Sequence, residues 1–296
     1  MELRVLKYFL MVSREENITK AAQLLHVTQP TLSRQLIQLE EELGVKLFQR
    51  SSHSITLTED GMLLKRRAQE LVSLADKTKL EFSQKEAELT GEISIGGGES
   101  QSIDFFAGML AAFLEKHPLV RYNLYTGNAD TVKDRIESGL LDIGLLLEPV
   151  DIRKYEFVRF PNKEVWGVLV RKDSDLATKK VITPIDLVNR PLITTQRMLV
   201  QSEIANWFGD YHDGLHFIAN YNLLYNAAIM VRNNIGVAIC LKLDSIYENL
   251  CFVPFSPSLE TGSVLVWKKD QIFSSSTAAF LDCAKKYIKG ISCNMK

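Results

Sequence analysis

The sequence has no excess of charge of either sign and no long apolar run. Its 296 residues carry 35 Lys and Arg against 36 Asp and Glu, a formal net charge of −1. This balance excludes a bulk polycation that coats nucleic acid by charge alone, and there is no acidic excess to indicate a solvating tail. The longest apolar stretches, residues 227–231 and 236–241, are far shorter than the ~18 residues that a membrane-spanning helix needs. We therefore expect no membrane partner.

Cysteine is scarce, and no secretory leader is expected. The four cysteines are Cys240, Cys251, Cys283 and Cys293, and no two of them have the C-x-x-C spacing of a metal site or a redox motif. We expect reduced, buried thiols rather than a disulfide framework. The first residues lack a clean apolar stretch and a small-residue cleavage site, which predicts a cytoplasmic protein.

The sequence also lacks the motifs on which common enzyme chemistries depend. It contains no G-x-S-x-G and no H-E-x-x-H, so a nucleophile elbow and a zinc-binding helix are both missing. Residues 96–98 are glycines, but Gln101 stands where a Rossmann motif needs its third glycine. His212 and His216 are four residues apart, yet Gly214 between them argues against a helix. We therefore expect no catalytic residue, no metal and no cofactor, and hence no enzyme.

The pattern of the chain changes twice, which divides it into three segments. Residues 1–58 show helical periods that end in short strand-like runs. Residues 59–89 form one polar stretch that is poor in glycine, and residues 90–296 alternate apolar runs with helical periods. The first segment holds 7 basic and 6 acidic residues, so its net charge is only +1. Any concentration of positive charge in this segment must therefore be confined to a small part of its surface.

The first segment predicts two helices joined by a tight break. Residues 19–25 form a short helix and residues 26–28 the break, after which Thr28 is suited to cap the next helix and Pro30 is tolerated in its first turn. The four leucines from 32 to 43 then share one stripe, which leaves Gln, Thr and Arg on the outer face. This arrangement is typical of a helix-turn-helix, whose second helix meets DNA bases. On spacing alone, a structural three-helix bundle explains the pattern equally well.

The wider sequence resembles one family closely. The match runs from Ile18 to Leu36 and continues through Leu39-Glu40, Leu43-Gly44, Leu47 to Arg50 and Leu57 to Gly61. Over this length the chain resembles the DNA-binding domain of LysR-type transcriptional regulators. The resemblance implies a winged helix-turn-helix in which residues 45–58 form the wing.

The resemblance also implies a set of DNA-contacting residues. They are Thr28, Gln29, Pro30, Thr31, Ser33 and Arg34 on the second helix, and Arg50 and His53 beside the wing. Two features depart from the family pattern. Residues 51–54 read Ser-Ser-His-Ser where members often carry further basic residues, and Asp60 replaces the usual small residue before Gly61. The first departure leaves the wing with fewer basic residues for minor-groove binding than those members have.

The second segment is consistent with one long helix that carries an apolar heptad seam. The seam residues are spaced 4, 3, 4, 3 and 4 apart: Leu64, Ala68, Leu71, Ala75, Thr78 and Phe82. An amphipathic helix packed on its own chain would show the same spacing. The resemblance implies a linker helix that pairs subunits, and hence a homodimer or homotetramer on an interrupted dyad in double-stranded DNA. It also implies RNA polymerase as a partner.

The third segment alternates strands with helices. Strand-like runs at residues 92–95, 121–125 and 142–147 are separated by helical stretches at 103–116 and 129–138, which predicts βαβ crossovers and a parallel sheet. A similar set follows within residues 165–264, and the last helix, 277–289, is expected to return to the first half. Two α/β lobes joined by two crossing strands would enclose a cleft.

The expected fold is therefore α+β and multidomain. It comprises a winged helix-turn-helix over residues 1–58, a linker helix over 59–89, and a two-lobed α/β effector domain over 90–296. The resemblance implies that this last domain is like a type 2 periplasmic binding protein. The first lobe is expected to cover about 90–162 and 266–296, and the second about 163–265.

Polar side chains recur where the predicted strands of the third segment end. Ligands of open α/β sheets bind at such strand ends, near helix N-termini. The candidates for binding a small-molecule effector are Ser100, Gln101, Ser102, Thr126, Asn128, Thr195, Gln196 and Gln201. Any one of them could equally be a helix cap. The resemblance points most directly to Ser100, Ser102, Thr126 and Thr195.

Glu99 stands in the same loop as Ser100 and carries a negative charge. That charge would repel the small carboxylates that many relatives bind, so Glu99 either turns outward or indicates a neutral or amine-bearing effector.

The whole sequence predicts a sequence-specific DNA-binding regulator that responds to a small molecule between two lobes. A solute-binding transport component would share the lobes but has no use for residues 1–58, and an enzyme would need catalytic groups in the cleft.

Overall fold

The computed structural model describes residues 1–50, 55–83, 89–243 and 247–290. The predicted DNA contact His53 lies outside these residues, and the side chains of Arg50 and Phe82 are likewise outside the description. The chain forms two compact units, Met1–Lys85 and Glu86–Lys296.

The first unit is a three-helix core with a hairpin and a long helix. Its elements are α1 (Leu3–Glu15), α2 (Ile18–Leu24), α3 (Gln29–Leu43), β1 (Phe48–Arg50), β2 (Ile55–Leu57) and α4 (Glu59–Ser83). The strands β1 and β2 pair antiparallel, which places a wing after the helix-turn-helix of α2 and α3. The cap at Thr28 forms as predicted, since its side chain accepts from the Thr31 N–H. Gly44 ends α3 in the left-handed conformation, with φ of 71°.

The core of the first unit lies among α1, α2, α3 and the start of α4. Phe9, Leu32 and Leu36 are fully buried there, and each such side chain contributes about 1.5–3 kcal/mol through removal from water. The predicted leucine stripe of α3 is confirmed except at Leu43, which is 39% exposed. The helix ends at this residue, and Leu47 is buried in the core after the chain turns back.

The second unit consists of two lobes. Its elements are β3 (Gly91–Gly97), α5 (Ser102–Lys116), β4 (Val120–Thr126), α6 (Ala129–Glu137), β5 (Ile143–Leu147), β6 (Tyr155–Arg171), β7 (Pro191–Thr195), α7 (Met198–Phe208), β8 (His216–Tyr221), α8 (Leu224–Arg232), β9 (Val237–Leu241), β10 (Leu250–Pro254), β11 (Glu260–Lys268) and α9 (Ser275–Ile288). Short 3-10 turns cover Asp175–Thr178, Pro184–Leu187 and Gly209–Gly214. We call β3, α5, β4, α6, β5 and α9 the first lobe, and β7, α7, β8, α8, β9 and β10 the second lobe.

One mixed sheet runs through both lobes, in the order β4-β3-β5-β11-β6-β9-β7-β8, with β10 beside β6. Pairing is parallel within each lobe, between β3 and β4, β3 and β5, β7 and β8, and β7 and β9. It is antiparallel where β11 meets β5 and β6 and where β6 meets β9. The expectation of a parallel sheet is therefore correct only inside each lobe, because the two crossing strands β6 and β11 run against their neighbours.

Each lobe has its own core. In the first lobe, Phe280 of α9 packs edge to face against Phe106 and Phe113 of α5, with ring centroids 6.1 and 5.4 Å apart. The last helix thus returns to the first lobe, as the sequence predicted. In the second lobe, Ile193 and Ala227 are fully buried on one face of the sheet, and other apolar side chains cover the opposite face. The two cores leave the strand ends between the lobes free to form a cleft.

Candidate functional site

The N-terminal end of α3 carries an exposed set of polar side chains. Gln29, Thr31 and Arg34 are exposed, as are Thr28 and Pro30, while Ser33 is half-buried. The hydroxyls of Thr28 and Thr31 lie 2.8 Å apart, which orders the first turn. The buried leucines hold the opposite face of α3 against the core. This end of the helix therefore presents amide, hydroxyl and guanidinium groups to solvent.

Glu40 lies on α3 but does not add negative charge to this exposed face. Its side chain is 3% exposed and accepts from the Leu47 and Phe48 N–H groups at 2.9 and 3.3 Å and from Lys46 Nζ at 2.9 Å. Burial alone would raise the pKa of Glu40, but these donors outweigh it and lower that pKa below its usual value. Glu40 therefore fastens the start of the wing to α3.

The predicted seam of α4 does not lie on one exposed face. Ala68 is fully buried in the core of the first unit, and Leu64 packs against the same core. Lys7 Nζ on α1 lies 2.8 Å from Asp76 on α4, which fixes that side of the helix to its own unit. The assignment of Leu64 and Ala68 to a subunit seam is therefore corrected. A heptad and an amphipathic helix share their spacing, so the sequence could not show which partner these residues face.

Other apolar side chains of α4 are exposed. Leu63, Leu71 and Leu74 are 54%, 42% and 37% exposed. Of these, only Leu71 belongs to the predicted seam. Thr78 is exposed and donates to the Leu74 carbonyl, while Ala75 is half-buried. The exposed apolar stripe therefore lies on a different face of α4 from the predicted heptad seam.

Two adjoining cavities lie at the strand ends of the second unit, with volumes of about 440 and about 100 Å³. The smaller is lined by residues of both lobes, whereas the larger is lined by residues of the first lobe and by Leu243. Both are lined by Gly98, Glu99, Leu145 and Leu243. Of the predicted effector contacts, three line the larger cavity and two line the smaller: Ser100, Gln101 and Thr126, and then Asn128 and Thr195. The structure therefore brings together polar side chains from three separate strand ends, those of β3, β4 and β7.

Three of the predicted effector contacts line neither cavity. The Ser102 hydroxyl and N–H donate to Glu164, and Gln201 Nε2 donates to the Thr195 carbonyl at 2.8 Å. Gln196 is exposed, and its N–H donates to the Tyr221 carbonyl. These residues hold the segments around the cleft in place through hydrogen bonds, but they do not line either cavity.

Glu164 on β6 is a buried carboxylate that sequence reasoning missed. It is 1% exposed and accepts from the Gln101 and Ser102 N–H groups at 3.0 and 2.8 Å. The Ser102 and Ser263 hydroxyls also donate to it. Glu164 therefore occupies the N-terminus of α5, where the helix dipole favours negative charge. The one sequence signal was a charged residue directly before the apolar run 165–170.

Arg197 was also missed, and it connects the lobes. Its side chain is 5% exposed; Nη1 donates to the Leu147 carbonyl at 2.9 Å and Nη2 to the Pro149 carbonyl at 2.6 Å. Nε lies 3.7 Å from Asp130 Oδ2, too far for a hydrogen bond. Burial lowers the pKa of Arg197. The guanidinium thus fixes the start of α7 to the end of β5.

Glu99 makes a second contact between the lobes. Its carboxylate accepts from the N–H of Leu224, the first residue of α8. A negative charge at this helix N-terminus is favoured by the helix dipole. Glu99 is exposed, as an outward-turned side chain would be, but its carboxylate also reaches Leu224 across the cleft.

The surroundings of the cysteines show whether their thiols are reactive. Cys240 is buried, and burial raises its pKa to about 12; burial also raises the pKa of the Cys251 thiol. Neither has the lowered pKa of a reactive thiol. Cys283 is disulfide-bonded, which corrects the expectation of reduced thiols at that residue.

Within the described ranges, no cluster of His, Cys, Asp and Glu could hold a metal ion, and no described helix is long and apolar enough to cross a membrane.

Comparison with known proteins gives the same two-part division. Residues 3–62 match the bacterial regulatory helix-turn-helix protein, lysR family, and residues 86–289 match the LysR substrate binding domain. The chain is 27% identical to the HTH-type transcriptional regulator BsdA of Bacillus subtilis, over 95% of this chain and 99% of that one. It is 30% identical to the uncharacterized HTH-type transcriptional regulator YcgK of the same organism, over 98% and 95%.

Solved structures show the same fold. The crystal structure of CbnR, a LysR family transcriptional regulator, aligns with a TM-score of 0.75 at 20% identity, over 97% of this chain and 99% of that one. Full-length CbnR complexed with its target DNA aligns with a TM-score of 0.74 at 21% identity, over the same shares. The family matches cover both units, and the chain therefore belongs to the LysR family of DNA-binding transcriptional regulators, with a substrate-binding effector domain.

Proposed function

We propose that this regulator acts as a homodimer or homotetramer whose paired α3 helices read an interrupted dyad in double-stranded DNA. A small molecule in the cleft of the second unit changes that DNA complex and its contact with RNA polymerase. One observation carries the proposal: a single chain combines a helix end with exposed Gln29, Thr31 and Arg34 and a second unit with a cleft between two lobes. The ligand acts through its different affinities for two lobe arrangements.

The exposed end of α3 has the chemistry for base recognition. Gln can bond bidentately to adenine, Arg to guanine, and Thr can contact the thymine methyl group. In this proposal Gln29, Thr31 and Arg34 approach base edges. The sugar-phosphate backbone of the DNA lies beside Thr28, Pro30 and Ser33 of the helix-turn-helix and beside Arg50 and His53 of the wing.

Replacing Arg34 with alanine should weaken binding to the preferred DNA site about 5-fold to 150-fold, or ~1–3 kcal/mol, and relax the preference at one base pair. Fluorescence anisotropy with a set of single-base variants of the site measures both effects. Arg153→Ala is the matched control, since Arg153 is an exposed arginine of the second unit paired with Asp151, and it should leave binding unchanged. An equal loss on all sequences would instead identify Arg34 as a phosphate contact.

Subunit pairing is proposed to use the exposed apolar stripe of α4, with Leu71 and Leu74 at its centre and Ala75, Thr78 and Phe82 beyond it. Two charges at the centre of such a stripe would be desolvated in a helix pair. The double variant Leu71→Glu, Leu74→Glu should therefore sediment as a monomer at concentrations where the wild type is oligomeric. The control Lys79→Glu also adds negative charge at an exposed position of α4, and it should keep the oligomer. An unchanged sedimentation coefficient in the double variant would contradict this assignment.

The proposal as a whole is tested by the salt dependence of DNA binding. Each neutralised phosphate should make log K fall with log[salt] with a slope of about −0.9. We expect the full chain to bind duplex DNA from the region upstream of its own gene with a steep slope, and to bind more weakly to unrelated DNA. A folded, oligomeric protein that forms no such complex at low salt would contradict the proposal.

A further inference from the structure

We propose that Arg197 is the residue that selects the effector: its unused donor takes an acidic oxygen of the ligand, and the Asp130 carboxylate gives way to it. This inference rests on the proposed function, because it names the residue that recognises the effector and the chemistry that it recognises. The effector that fits is a compound with a single acidic group on an apolar body.

Arg197 combines deep burial with an unused donor. Its side chain is 5% exposed, and two of its three guanidinium nitrogens donate to backbone carbonyls, Nη1 to Leu147 and Nη2 to Pro149. The third nitrogen, Nε, is buried and has no hydrogen-bond acceptor in the part of the chain that the structure describes. Buried polar groups normally have a partner, and an unused donor on a buried charge is costly. A ligand oxygen would complete this set of hydrogen bonds.

Asp130 is the carboxylate nearest to Nε, but it does not complete the bond. Its Oδ2 lies 3.7 Å from Arg197 Nε, beyond hydrogen-bond distance. The Asp130 side chain is 57% exposed, and its Oδ1 lies 3.4 Å from Lys133 Nζ in the same helix. Exposed ion pairs contribute little to stability, so Asp130 can turn towards Lys133 and solvent at small cost. The long ion pair between Arg197 and Asp130 is therefore the contact that a ligand would replace.

The helix ends around Arg197 favour negative charge. The smaller cavity is lined by Asn128 and Ala129 at the N-terminus of α6 and by Arg197 and Val200 at the N-terminus of α7. Each helix end carries the positive end of a dipole. The N-terminus of α8 meets the same cavity and already holds a carboxylate, that of Glu99. These helix ends thus suit an acidic group, while the charge of Glu99 opposes one, so its binding depends on Arg197.

The larger cavity limits the ligand to one acidic group. Asp104 lines this cavity and not the smaller one, and a second acid at the far end of the ligand would be repelled by it. Ile95, Phe106 and Leu124 supply apolar surface in the same cavity. Its volume of about 440 Å³ suits the body of a small organic molecule.

The position of Arg197 also connects ligand binding with the arrangement of the lobes. Arg197 precedes α7 of the second lobe, whereas Ala129 and Asp130 begin α6 of the first lobe. An acidic group bound between these two helix ends would be held by both lobes at once. The ligand would therefore stabilise the arrangement in which the N-termini of α6 and α7 lie close together.

Three probes with one skeleton test the inference: 3-phenylpropanoate, its neutral amide 3-phenylpropanamide, and the diacid 3-(4-carboxyphenyl)propanoate. Isothermal titration calorimetry on the full-length chain should show 3-phenylpropanoate binding about tenfold or more tightly than the amide or the diacid. The Arg197→Met variant should lose this preference, because it removes the charge and the Nε donor from a side chain of similar length.

Asp130→Asn tests the exchange of carboxylates separately and at an exposed position. Removing the competing charge should tighten the binding of 3-phenylpropanoate about threefold or more and leave the affinity for the amide within about twofold. The matched control is Asp134→Asn, which removes an exposed carboxylate of the same helix that lines neither cavity. It should leave the affinities for all three probes within about twofold of the wild type.

Equal or tighter binding of the amide or the diacid to the wild type, or no binding of 3-phenylpropanoate, would overturn the inference even if Arg197→Met failed to fold. A folded Arg197→Met protein that still prefers the acid, or an unchanged affinity for the acid in Asp130→Asn, would overturn it as well. Specific DNA binding is measured on the same samples. Failure of the acid with the DNA complex intact refutes the role of Arg197 alone, whereas a wild type without a DNA complex refutes the proposed function.

Discussion

Replacing Glu164 with alanine is expected to lower the free energy of unfolding of the Glu86–Lys296 unit by about 3–5 kcal/mol. Glu164 is 1% exposed, and four donors from Gln101, Ser102 and Ser263 converge on its carboxylate. Hydrogen bonds to a charged group are stronger than neutral ones, and the donors left behind would remain buried at the N-terminus of α5. The loss therefore exceeds that of an ordinary surface substitution several-fold.

Tryptophan fluorescence measures this effect selectively. The chain's three tryptophans are Trp166, Trp207 and Trp267, so the signal during urea unfolding reports the second unit alone. Glu156→Ala is the matched control because Glu156 is an exposed glutamate on the same strand, β6, and its cost should be within about 0.5 kcal/mol. A loss below about 1 kcal/mol for Glu164→Ala would show that the carboxylate does not hold α5.

Replacing Gly61 with alanine should destabilise the first unit by about 3 kcal/mol, the upper end of typical overpacking costs. A Cβ at this position would lie 2.1 Å from the Leu47 carbonyl oxygen and 2.9 Å from Leu57 Cδ2. The first of these atoms belongs to the backbone that leads into the wing, so it cannot rotate away. The first turn of α4 would have to separate from the wing, and DNA binding should weaken with it.

Gly44→Ala is the natural comparison for Gly61→Ala. Gly44 has φ of 71°, but a Cβ there would have no atom within 4 Å, so its cost is only the ~1–2 kcal/mol of a left-handed non-glycine residue. Thermal unfolding followed by far-UV circular dichroism should therefore rank Gly61→Ala as the more damaging change. Equal costs, or the reverse order, would mean that the close approach between α4 and the wing is not constrained.

The parts of the fold that local chemistry determines were predictable from the sequence. The cap at Thr28 and the turn at Gly44 mark the ends of α3, and the strand ends gave five of the polar residues that line the cleft. These features depend on residues a few positions apart. Spacing of apolar residues likewise predicted the helices of both units, because the same stripe that is visible in the sequence becomes the buried face.

The parts that depend on contacts between distant residues were not predictable. Ser102 meets Glu164 across 62 positions of the chain, and Arg197 meets Leu147 across 50. Nothing in the local pattern specifies which helix end a buried carboxylate will cap. For the same reason the spacing of Leu64 and Ala68 could not distinguish a subunit partner from the core of their own unit.

The central claim is that paired α3 helices read an interrupted dyad, and selection from a library of randomised duplex DNA by the full-length chain tests it most directly. The account predicts that repeated selection enriches an inverted repeat whose half-sites are centred one or more helical turns apart, about 34–36 Å per turn. Enrichment of a single half-site without a dyad, or of no sequence at all by the folded protein, would contradict the claim.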